Sequence, residues 1–105
     1  MPDDPLALKD DFNRSGFKFI LVELDTALTF AEMASQAGAD DESRARNRRN
    51  ARSAYDTVVH LCRHFVFTRT EMVELRQKFK VLKAGLESLG EEFDEPGEVS
   101  LDRAA

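Results

Sequence analysis

Asp56, His60 and His64 are spaced i, i+4, i+8, so on a helix they share one face. Two imidazoles one turn apart can grip a metal ion. A helical H-x3-H supplies only two ligands, however, whereas a structural zinc takes four and a catalytic one takes three plus water. The same spacing describes a solvated helix face with an Asp–His pair one turn apart. That reading is adopted, so no metal site and no cofactor are expected. Cys62, the one cysteine, falls on the opposite side with Tyr55 and Val58. A thiol in apolar surroundings has a raised pKa and behaves as a small hydrophobe rather than a nucleophile. With no catalytic constellation and no nucleotide-binding loop, no enzymatic activity is expected.

The strongest polar signal is ESRARNRRNAR, which packs Arg44, Arg46, Arg48, Arg49 and Arg52 into nine residues. Clustered guanidiniums are what phosphate binding uses. These five are the candidate anion-binding residues, and a nucleic-acid-associated regulator is the alternative reading. Three features weigh against it. Arg44, Arg48 and Arg52 follow one flank, where a hairpin folded about Ala39 brings Glu32 near Asn47 and Arg48, and Asp25 near Arg52. No aromatic residue interleaves with the run to stack bases. Acidic segments also flank the basic ones. Met1 to Ala37 carries 3 basic and 7 acidic residues, and Glu91 to Ala105 carries 1 and 6, within a chain of net charge −5.

The element that must organise the rest is Phe17 to Ala37, a helical pattern with apolar residues on two sides. Phe17, Ile20, Leu21, Leu24, Ala27, Leu28 and Ala31 form the core-facing stripe of an amphipathic helix. Phe19, Val22, Thr26, Phe30 and Met33 fill the other side, spaced three or four apart like a coiled-coil seam. Lys18, Asp25 and Glu32 lie along one flank between the stripes, and Glu23 lies alone on the other. The stretch is too short and too charged for a membrane span, so no membrane partner is expected. A second copy of the chain is expected to cover Phe19, Val22, Thr26, Phe30 and Met33, giving a homodimer with Thr26 near its axis. The competing cover is the N-terminal segment, folded back through Leu6, Leu8 and Phe12.

The first helix is expected to start between Asp11 and Phe17, with Ser15-Gly16 as a weak point, and to stop at Gly38. Asp40, Asp41 and Glu42 suit the positive end of a second helix, which periodicity carries to Val66. Asn47 projects to its core side and needs a partner. Thr68 to Glu71 reads as a capping box for a third helix with the stripe Met72, Leu75, Phe79, Leu82, Leu86 and Leu89. Gly90 closes it. The Ala51–Tyr55 step has no second copy, so there is no repeat array.

The predicted fold is all-α: an up-down-up three-helix bundle over 17–90, a frayed and partly ordered N-terminal segment over 1–16, and a disordered acidic tail over 91–105. The single cysteine and the acidic opening MPDDPLALKDD, without a basic or apolar leader, point to the cytoplasm. The expected function is that of a non-enzymatic helical module for protein–protein interaction or regulation.

Overall fold

The structure, a computed structural model, describes residues 5–93. Its axis is α1 (Pro5–Ser35), against which α2 (Asp41–Leu61) and α3 (Arg69–Ser88) both pack. The three run up, down and up as a bundle, and α2 and α3 touch each other far less than either touches α1. Ile20, Leu24, Ala27 and Ala31 meet Ala51, Tyr55 and Val58 of α2, and Leu75, Phe79, Leu82 and Leu86 of α3. Alanine at 27, 31, 34 and 51, all buried, leaves little side chain between the backbones of α1 and α2, so the two helices approach closely.

The helix ends follow local chemistry. Asp40 caps α2, accepting the Ser43 N–H at 2.7 Å. The Ser43 backbone and side-chain hydrogen bonds, helped by the Arg46 charge, hold its carboxyl below the usual range. A depressed carboxyl stabilises the fold above its unfolded pKa, and that contribution is lost as pH falls through the folded value. Thr68 and Glu71 form the expected capping box: the Glu71 N–H donates to Thr68 Oγ1 at 3.2 Å and the Thr68 N–H to Glu71 Oε1 at 2.8 Å. Gly38 and Gly90 adopt φ of 87° and 97°, the left-handed turns that end α1 and α3.

α1 begins earlier than its pattern predicts. Pro5 takes the first turn, where its missing N–H costs nothing, and the helix then runs through Ser15-Gly16 unbroken. Gly16 is there for space. A Cβ at this position would lie 2.2 Å from Phe65 Cδ1 and 2.6 Å from its Cγ. Alanine gains roughly 1 kcal/mol in helix propensity, but an overpacked core typically loses 1–3 kcal/mol. Gly16→Ala is therefore expected to lower the urea midpoint, the reverse of the propensity effect. Adding Phe65→Ala is expected to remove that penalty, giving a clear coupling in a double-mutant cycle. Additive effects would show that Phe65 does not set the requirement.

α2 ends at Leu61, short of the expected Val66. Cys62–His64 tighten into a single 3-10 turn and Phe65 is extended, at φ −127° and ψ 154°. The chain then crosses α1, which provides for its backbone. Asn13 Oδ1 accepts the Val66 N–H at 3.0 Å, and Arg14 Nη2 donates to the Val66 carbonyl at 2.7 Å. Arg14 also pairs with Glu71 at 2.9 Å and Asp10 at 2.6 Å. These contacts let Phe67, fully buried, enter the core beside Phe17 at 6.4 Å between ring centroids.

The C-terminal segment departs from expectation as well. Glu91 and Phe93 pack onto the bundle instead of trailing free. The remainder of the predicted tail, 94–105, and the first four residues lie outside the described residues. No helix among the described residues is long and apolar enough to cross a membrane.

Candidate functional site

Because α1 is continuous, its outer apolar row is longer than the sequence pattern alone indicates. Leu8, Phe12, Ser15, Phe19, Val22, Thr26, Thr29 and Met33 are spaced by four and three in strict alternation, and all eight are exposed. None is charged. Leu8 is 53% exposed, Phe12 57%, Phe19 53%, Val22 61% and Met33 40%. The row lies nearly opposite the buried one made by Ile20, Leu24, Ala27 and Ala31, so the bundle does not obstruct it. At 1.5 Å per residue it is about 37 Å long.

Leu8 and Phe12 extend this row; they do not fold back to cover it. Phe12 is stacked on Phe65 at 5.0 Å and still presents its outer face. The two threonine hydroxyls are satisfied within α1: Thr26 Oγ1 donates to the Val22 carbonyl at 2.9 Å and Thr29 Oγ1 to that of Asp25 at 3.0 Å. Outwardly they offer methyl groups. Phe30, grouped with the row by its spacing, is half-buried and packs against the core. Its place at the edge of the stripe turns it towards the bundle.

The arginine run divides differently from its predicted pairing. Arg44 donates to the Gln36 carbonyl at 3.3 Å. Arg48 is bound to Glu91. Arg52 pairs with Asp56 at 3.1 Å, donates to the Glu92 carbonyl at 2.7 Å and stacks 4.2 Å from the centre of the Phe93 ring. The expected partner Asp25 instead takes Lys78 of α3 at 2.7 Å. Asp25 of the acidic flank is thus held by α3, and Arg48 and Arg52 of α2 are met by the C-terminal segment. Arg46 reaches only the Ser43 hydroxyl, at 3.5 Å, and Arg49 has no hydrogen bond or ion pair among the described residues. Asn47 is buried as expected.

His60 and His64 do meet, with ring centroids 5.4 Å apart. Both are exposed, while Asp56 is occupied by Arg52. No third ligand joins them among the described residues. Cys62 is buried, and burial pushes its thiol up to about 12, far from the range of a reactive thiolate. Sequence reasoning missed Asn13, Arg14 and Phe67. The only local hint was an asparagine–arginine pair in line with the apolar stripe.

No family model matches this chain, and no curated protein and no solved structure matches it.

Proposed function

We propose that this protein is a non-enzymatic helical interaction module, a small cytoplasmic scaffold or regulator that works as a homodimer through the exposed row of α1. The observation that carries the reading is the row itself: eight consecutive uncharged, exposed positions in a chain that is 33% charged. A solvated helix face carries charges, and a continuous apolar strip of this length on a soluble domain marks a binding surface. Several of the polar side chains are engaged in holding the fold. Glu71 caps α3, Arg14 ties down the connector, and Asp56 holds Arg52.

Sedimentation equilibrium tests this reading. At roughly 100 µM, where a specific dimer is populated by mass action, the mass is expected to be twice the 11.9 kDa chain. The double variant Phe19→Glu/Val22→Glu is expected to fall to one chain mass with its helicity intact, since both side chains are exposed. Undiminished association of that variant would overturn the role of the row. The alternative, a nucleic-acid-associated regulator, is favoured by one observation: neither Arg46 nor Arg49 forms an ion pair among the described residues. It predicts salt-sensitive duplex binding that Arg46→Ala/Arg49→Ala abolishes.

A further inference from the structure

We propose that the two α1 helices of the dimer lie parallel and in register as a two-stranded coiled coil, with Lys18 of each copy facing Glu23 of the other. The inference rests on the homodimer reading and adds to it the orientation, the register and the residues that decide both.

A row that alternates by four and three has a period of 3.5 residues, the repeat that keeps two helices in contact along their length. Side-by-side packing uses the whole strip of about 37 Å. A steep crossing at Thr26 would use only its middle. The flanks then distinguish the two orientations. Asp11, Lys18, Asp25 and Glu32 lie on one side of the row, and Lys9, Gly16, Glu23 and Phe30 on the other.

In a parallel pair each residue of the first flank faces the residue five further along on the second copy. Lys18 meets Glu23 of the second copy, Asp11 meets the position of Gly16, which the uncharged Phe65 ring covers, and Asp25 meets a phenylalanine. The one charged pairing is attractive, symmetry forms it twice, and no like charges are opposed. In an antiparallel pair with full overlap, the first flank meets itself. Lys18 would then face Asp25 of the second copy, but Asp11 would face Glu32, and each contact occurs twice. Asp25 is also already held by Lys78 at 2.7 Å.

Of the first flank the fold pairs only Asp25; Lys18, like Asp11 and Glu32, is left over, and so is Glu23 on the second. Neither Lys18 nor Glu23 has an ion pair or side-chain hydrogen bond among the described residues, and neither has an opposite charge three or four residues away on α1. The interior of the proposed pair is also consistent. Thr26 and Thr29 already satisfy their hydroxyls, so burying them strands no donor. Ser15 lies between Phe12 and Phe19 and leaves room for the rings.

Disulfide trapping tests the orientation. Position 15 meets itself only in the parallel register, whereas antiparallel overlap brings Ser15 opposite Thr26. Native Cys62 is buried and stays silent. In a glutathione buffer, Ser15→Cys is expected to link to itself at least about tenfold more than the exposed control Ser53→Cys, because paired thiols meet at millimolar effective concentration. Lys18→Glu is expected to weaken the dimer roughly tenfold, and Lys18→Glu/Glu23→Lys to restore it. Linking of Ser15→Cys to Thr26→Cys, with self-linking at the control level, would overturn the parallel register and leave the homodimer standing. A wild-type mass of one chain would overturn both.

Discussion

Phe67→Ala is expected to be the most damaging single truncation in the chain, costing about 3–5 kcal/mol as large-to-alanine changes at fully buried aromatics do. Phe67 is not on a helix. It hangs from the connector between α2 and α3 and closes one end of the bundle, 6.4 Å from Phe17 and 6.5 Å from Phe65 between ring centroids. The size of the penalty depends on whether the walls can collapse into the space. Here they are held apart, since Asn13 and Arg14 grip both the N–H and the carbonyl of Val66, the residue next to the cavity. A domain of this size has about 5–15 kcal/mol in total, so the variant is expected to be marginal at room temperature. Urea denaturation followed by circular dichroism measures it. Val81→Ala, exposed on α3, is the control and is expected within about 0.5 kcal/mol of wild type. A loss below about 1 kcal/mol for Phe67→Ala would show that the connector relaxes into the gap, contrary to the tether described.

That connector marks the limit of what the sequence discloses. α3 is legible from end to end, because its stripe and its capping box are written within a few residues of where they act. The turns at Gly38 and Gly90 are local for the same reason. Gly16 is the counter-example. Read locally it is a weak point in a helix, and its use becomes visible only with Phe65 lying across it from a distant part of the chain. The arginine pairings failed on a different ground. A helical wheel shows which flank is acidic but not which neighbour lies beside it, and the arrangement of helices around α1 gives Asp25 to Lys78. The outer row of α1 is legible over Phe19, Val22, Thr26 and Met33, but the pattern alone places Phe30 on it where the structure exposes Thr29. Its first half is hidden by Ser15-Gly16, which reads locally as a helix boundary although α1 runs through it.

Removal of Glu91 to Ala105 is expected to lower the melting temperature by about 8–24 °C, although the composition of this segment is that of a disordered tail. Phe93 is half-buried and lies edge-on to Tyr55 at 4.9 Å, with the Arg52 guanidinium 4.2 Å from its ring centre and Lys83 Nζ 5.3 Å away. It therefore bridges α2 and α3, the two helices that otherwise share little contact. Half-burial of a phenylalanine is worth about 1 kcal/mol, and a cation over its ring contributes about 0.5–1 kcal/mol. The Arg48–Glu91 pair is partly exposed, so it adds no more than about 1 kcal/mol. The total of about 2–3 kcal/mol converts at roughly 4–8 °C per kcal/mol for a domain of this length. Phe93→Ala in the full chain separates the ring from the Arg48–Glu91 pair and is expected to account for about two-thirds of the shift. Salt probes the remainder, because the Arg48–Glu91 contribution weakens as screening increases while the ring contact does not. A truncated chain that melts within a few degrees of the full one would show that Glu91 and Phe93 rest on the bundle without holding it together.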